Sequence, residues 1–245
     1  VRVMASWTGV VIPPLIQQRF AVPVFVDNDV NVIAVGEYRT AYAGELDDLL
    51  FVKVSTRIGA GIVSGGTIQR GALGAAGEIG HIPVRDGGGV LCRCGNIDCV
   101  DSVASGTAIL RDLRAIGRNV SSLADVVALV RAGDAETMTV VRRAGRLLGE
   151  VVASAVNLLN PAVVVLGGDV AELFQPLVSS VREVVYRRST ALATRSLRIE
   201  RSRLGPGAGI IGCALMVIDH ILAPEAIDSD QYGAVTRRLA RPARP

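Results

Sequence analysis

Three of the four cysteines and one of only two histidines lie between Glu78 and Asp101, so most of the soft-ligand capacity of a 245-residue chain is gathered in one segment. His81, Cys92, Cys94 and Cys99 offer one imidazole and three thiolates. Tetrahedral structural zinc accepts that set and leaves no position for a labile water. A disulfide is the first alternative. Cys92 and Cys94 are too close in sequence to bridge each other comfortably, and three cysteines leave one unpaired. The second alternative is three unrelated buried thiols beside a core histidine. Gly87, Gly88, Gly89 and Gly95 argue for a loop that needs an internal brace, and a metal supplies one.

Half of the residues are hydrophobic and only 4% are aromatic, a balance that suits a packed α/β protein. The net charge of +3 is small, although 237–245 carries four arginines; a basic tail can attract nucleic acid or acidic surfaces, but a mobile, solvated terminus is the commoner reading. The most apolar stretch, Gly207 to Ala223, is interrupted by Asp219 and His220 and falls short of the roughly 20 residues a spanning helix needs. With thiols arranged for metal and no secretory pattern in these residues, a cytoplasmic protein away from membranes is expected.

Along the chain, a short helix is expected around Pro14 to Phe20, then a buried strand at Val24-Phe25-Val26 ending in Asp27-Asn28-Asp29. Val30 to about Tyr42 has helical spacing. Asp29 therefore stands at a strand-to-helix switch, where α/β folds place ligands, although Asp and Asn also cap helices well. Leu49 to Val54 reads as a strand, Ser55 to Gly61 as a turn, and Gly65-Gly66 as a hairpin signal. Helices follow to about Ile116, to Arg131, and from Asp134 to about Leu159. On the last, Val140, Ala144, Leu147, Leu148, Val151, Val152, Ala155, Leu158 and Leu159 form the expected core stripe, and Arg142, Arg143 and Arg146 a solvated face. Ala162 to Leu166 is a strand closed by Gly167-Gly168. A helix from Ala171 to Arg187, a strand from Leu197 to Glu200 and an apolar helix from Gly209 to Ala223, packed on the sheet with Cys213 buried, complete the reading.

Glu78-Ile-Gly-His81, followed by Cys92-Arg-Cys-Gly-Asn-Ile-Asp-Cys99-Val-Asp101, resembles the signature of the ROK family of bacterial repressors and sugar kinases. Val26-Asp-Asn-Asp-Val-Asn31 with Gly36-Glu37, and Thr56-Arg-Ile-Gly-Ala-Gly61, stand upstream in that family's order. The resemblance runs from about Trp7 to Ala223. It implies an α/β, actin-like ATPase fold of the ribonuclease H-like, hexokinase type, with an incomplete first lobe. Residues 1–102 would hold the latter part of that lobe with the sugar site and zinc loop, 103–223 a helix-rich second lobe, and 224–245 a flexible basic tail. The chain would be the carboxyl-terminal portion of a longer protein.

The resemblance also implies roles. Asp29 would be the base that takes the sugar hydroxyl proton in a kinase, a step that contributes about 10²- to 10⁴-fold. Asn28, Glu78, His81 and Asp101 would join Asp29 in holding the sugar, with His81 also a zinc ligand. Thr56, Gly59, Gly167 and Gly168 would face a nucleotide. Arg57 stands where the family's kinases usually have glycine. There it fills phosphate space or clamps a phosphate, and a left-handed backbone would cost it about 1–2 kcal/mol. Asp98 and Asp101 replace a glycine and a glutamate. Three functions follow: a sugar-binding regulator domain, an ATP-dependent sugar kinase, or a dimerising scaffold. Zinc is common to all, magnesium–ATP belongs only to the kinase, and a homo-oligomer, dimer or tetramer, is expected. DNA would be reached only through an amino-terminal helix-turn-helix outside these residues.

Overall fold

Leu49–Val54 is apolar at every position but Lys53, and such a strand needs cover on both faces. In a computed structural model, which describes residues 9–169 and 174–228, it is β1 (Leu49–Val54), the middle strand of a five-stranded sheet. β2 (Ile58–Ser64) and β3 (Thr67–Gln69) run antiparallel to one side, and β4 (Val163–Gly167) and β5 (Arg198–Arg201) run parallel on the other, in the order β3-β2-β1-β4-β5. Residues on either side of position 102 thus share one sheet. Trp7 and the 229–245 tail lie outside the described residues.

The period-two alternation of β1 divides the core. Leu50, Val52 and Val54 face α6 (Ala135–Leu159) and α7 (Phe174–Arg188), packing with Leu148 and Val152. Leu49 and Phe51 face α2 (Asp29–Ala41), with Ala34, Tyr38 and Tyr42. Between the sheet and α6 the chain forms α3 (Val100–Ala104), α4 (Gly106–Ala115) and α5 (Leu123–Arg131), and Ser122 with Asp125 closes α5 in a capping box. Asp134 caps α6 by accepting from the Thr137 N–H. No helix among the described residues is long and apolar enough to cross a membrane.

The apolar helix near the carboxyl end, α9 (Ala208–Ile221), packs on α2 and not on the sheet, because α2 already covers that face. Two glycines permit the approach. A Cβ at Gly36 would lie 2.3 Å from the Ala208 carbonyl oxygen, and one at Gly212 would lie 1.9 Å from that of Val32. Cys213 is consequently exposed, not the buried thiol expected. The expected strand at Val24-Phe25-Val26 has no regular structure. No ladder partner reaches it among the described residues, Val26 is half exposed, and the Phe25 ring rests 4.3 Å from that of His220. The core stripe of α6 also ends a turn early. Leu158 is 83% exposed, since α7 ends level with Asn157, whose amide donates to the Arg188 carbonyl.

Glu37 is fully buried, and its carboxylate accepts from the Ser202 hydroxyl at 2.8 Å and from the backbone N–H groups of Arg203 and Leu204 at 2.5 and 3.3 Å. It therefore holds the turn after β5 against α2. Removing the acceptor leaves three inward donors without a partner. Glu37→Ala is expected to cost about 3 kcal/mol, read as a lower urea midpoint, with Glu37→Gln retaining part of the loss.

Candidate functional site

The segment from Ile82 to Cys99 has little regular structure, only two isolated bridges, Pro83 with Cys99 and Leu91 with Ile97. Its shape comes from polar groups. Asp98 sits at φ 58, a conformation unfavourable for a side chain, and its carboxylate accepts from the Gly89 and Val90 N–H groups at 3.1 and 2.7 Å. Arg143 on α6 donates to the Asp86 and Gly87 carbonyls, so it anchors this loop and does not belong to the solvated face expected for it.

That frame gathers the four predicted ligands. One donor atom from each of His81, Cys92, Cys94 and Cys99 lies within 4.8 Å of all the others. His81 Nδ1 and Cys92 Sγ are 3.6 Å apart, and Cys94 and Cys99 Sγ 3.5 Å apart. Metal–sulfur bonds of about 2.3 Å and metal–nitrogen bonds of about 2.0 Å give tetrahedral edges of about 3.5–3.8 Å, so the set fits a zinc-sized ion after a small contraction. The Cys94 thiol is drawn down to about 7, chiefly by the Asn96 backbone N–H, whereas burial pushes Cys99 up to about 12. A divalent ion bound there would hold the sulfurs as thiolates. His81 also turns Nε2 toward Glu78 Oε2, 3.8 Å away, so one ring joins the metal set to a neighbouring pocket.

The pocket, about 340 Å³, lies at the carboxyl end of β1 and the start of α2. It brings together Asn28, Asp29, Glu78, His81 and Asp101, all expected around a sugar. Asn28 also caps α2, its Oδ1 accepting from the Val30 N–H at 2.9 Å. Asp27 is structural, bound to Asn31 and Arg70. Asp101 spends Oδ1 on the Ile58 N–H, 2.8 Å away, and faces Arg57 with Oδ2 at 3.7 Å. Arg57 is not in the left-handed region, so the strain expected of a side chain there is absent.

Lys53 was not singled out by sequence reasoning. Its Nζ contacts Asp29 Oδ2 at 2.5 Å, and the available signal was a lone lysine near the carboxyl end of an otherwise apolar strand. Lys53 also lines a second, larger cavity of about 780 Å³ with Phe51, Gly168, Asp169, Leu204 and Gly205. The four residues expected around a nucleotide are divided between these spaces. Thr56 and Gly59 line the smaller pocket, Gly168 lines the larger, and Gly167 packs beneath Phe51. On the wall of the larger cavity the Asp169 carboxylate accepts from the Ser55 hydroxyl.

A model of the ROK family matches residues 5–220. The xylose repressor of Bacillus subtilis is 31% identical over 89% of this chain and 56% of its own length. Among solved structures, a ROK family transcriptional regulator homologous to the Escherichia coli MLC protein superposes with a TM-score of 0.76 at 30% identity, over 83% of this chain and 54% of that one. The ROK hexokinase of Thermus thermophilus superposes with a TM-score of 0.70 at 34% identity, over 83% and 70%. The chain thus spans just over half the length of the xylose repressor that it matches.

Proposed function

Because this chain belongs to the ROK family and has its actin-like kinase fold, we propose that it is the sugar-binding effector domain of a bacterial transcriptional regulator. In this reading it holds one structural zinc and works without phosphoryl transfer. Asp29 and Glu78 accept hydrogen bonds from sugar hydroxyls, Asn28 offers an amide, and His81 presents Nε2 from the metal side. Zinc, held by His81, Cys92, Cys94 and Cys99, fixes the ring and loop that form this wall. The ligand's grip changes the geometry of a homo-oligomer, and DNA is contacted by a helix-turn-helix outside these residues.

The observation that carries the regulator over the kinase is the contact between Ser55 and Asp169. It puts a carboxylate on the wall of the larger cavity, where a nucleotide's phosphates need cations and open backbone donors. Arg57 adds a side chain to the same turn. The Asp29–Lys53 pair favours the kinase instead, since a carboxylate stands at the sugar pocket with a cation beside it.

Calorimetric titration with pentoses, hexoses and N-acetylated amino sugars, with and without magnesium–ATP, separates the readings. Sugar binding indifferent to nucleotide, with no ADP formed, is expected. Saturable, sugar-dependent ADP release would establish the kinase, and a chain that binds neither sugar nor nucleotide would be a scaffold.

A further inference from the structure

The three sulfurs of the predicted metal set differ in what can reach them. Cys92 and Cys99 are buried, whereas Cys94 is partly exposed. Cys94 Sγ stands 3.5 Å from Cys99 Sγ, while Cys92 Sγ lies 3.6 Å from His81 Nδ1. Cys213, the fourth cysteine of the chain, is exposed on α9 and outside the cluster. A thiol that solvent reaches thus has a second, shielded thiol only about 1.5 Å beyond disulfide bonding distance.

The backbone at these two positions is unequal too. Cys99 is fixed: it stands at the start of α3, pairs with Pro83 in an isolated bridge, and donates its thiol to the His81 carbonyl at 3.4 Å. Cys94 rides on a turn. There the Gly95 N–H donates to the Cys92 carbonyl at 2.9 Å and the Cys92 N–H to that of Asn96 at 2.7 Å, with Gly95 at φ 97. Only Gly95, Asn96, Ile97 and Asp98 separate the pair. Closing the gap therefore moves this turn and leaves α3 in place.

Resting on the zinc reading above, we infer that Cys94 and Cys99 form an oxidation site for a hydroperoxide, at which a disulfide closes and the metal is lost. The Cys94 thiolate attacks one oxygen of hydrogen peroxide. The O–O bond breaks, Cys94 becomes a sulfenic acid, and the departing hydroxide takes a proton from solvent. The Cys99 thiolate then attacks the sulfenic sulfur, the S–S bond forms, the S–O bond breaks, and a second hydroxide is protonated. Two thiolates have given up two electrons and the peroxide has become two waters. Of the four ligands His81 and Cys92 remain, two fewer than tetrahedral zinc requires. Metal and disulfide, alternatives in the sequence, are then two states of one site. His81 also lines the sugar pocket, so on the sugar-site reading oxidation loosens that wall and weakens sugar binding.

The test treats the zinc-loaded Cys213→Ser chain, in which only the cluster can oxidise, with hydrogen peroxide. Freed zinc is read with a chromogenic chelator, remaining thiols with a thiol reagent, and the linkage by peptide mapping. One zinc is expected to leave for each two thiols lost, with a Cys94–Cys99 cross-link, and dithiothreitol with added zinc is expected to restore the ion. Cys94→His keeps four ligands but replaces the exposed thiol, and should release zinc at least about tenfold more slowly. If that variant holds no zinc, the mapped cross-link decides alone. Zinc retained through peroxide treatment, a cross-link between another pair, sulfinate without a disulfide, or equally fast release from Cys94→His overturns this inference and leaves the metal site standing. A reduced chain that binds no zinc overturns the metal reading, and this inference with it. Sugar affinity, measured by calorimetry, is expected to fall in step with zinc release and to return on reduction. Affinity indifferent to zinc loss overturns the coupling to the pocket, and a reduced, zinc-loaded chain that binds no sugar overturns the sugar-site reading instead.

Discussion

Cys99→Ser is expected to remove the metal: zinc measured by mass spectrometry should fall from about one ion per chain to background, and the melting temperature should fall with it. The effect is large because little else orders 82–99. Two isolated bridges and the Asp98 carboxylate hold the loop, and Asp98 itself occupies a conformation that a side chain disfavours. Cys99 is fully buried at the start of α3, so the lost ligand leaves a polar group and two stranded thiols against the core. The pocket should suffer too, since His81 carries a ring nitrogen to it and Arg93 lies between two of the ligands. Sugar affinity is therefore expected to fall together with zinc. Cys213→Ser is the control. That thiol is exposed on α9, away from the cluster, and its replacement should change neither metal content nor affinity. Full zinc occupancy in Cys99→Ser would show that the four side chains are not a metal site.

Much of this was legible in the chain because it depends on local chemistry. Four soft ligands in a glycine-rich loop announce a metal whatever the tertiary fold, and the apolar run of β1 announces a central strand. The segments read less well are those whose fate was decided by distant partners. Val24-Phe25-Val26 has the composition of a buried strand and lacks only a neighbour to pair with. The apolar helix α9 has the composition of a sheet-covering helix, yet α2 took that face first, and Gly36 and Gly212 show their purpose only when the two helices touch. Glu37, though part of the motif read in the sequence, showed no structural role there, and Lys53 showed none at all, for the same reason. A carboxylate on a helix and an ammonium on a strand look like ordinary charges until Ser202, Arg203 and Asp29 are brought to them.

The cap and ligand readings of Asn28-Asp29, evenly balanced in the sequence, become separable in the structure. Asn28 is the cap, and Asp29 is the first residue of α2, with its carboxylate two-thirds exposed toward Lys53 and the pocket. Asn28→Ala should thus lower stability by about 1 kcal/mol through the lost cap. Asp29→Ala removes only a first-turn charge, about half a kcal/mol of helix stability, and should leave zinc content unchanged. Its effect on ligand should be far larger. A charged acceptor of sugar hydroxyls is worth about 1.5–3 kcal/mol, so affinity is expected to drop roughly 10- to 100-fold. Lys53→Met should partly mimic this by releasing the carboxylate from its partner. Calorimetry on Asp29→Ala, Lys53→Met and the double variant reads the coupling directly: losses that do not add would place both side chains in one ligand-binding unit, whereas unchanged affinity in Asp29→Ala would leave Asp29 a helix-end charge and move the sugar site elsewhere.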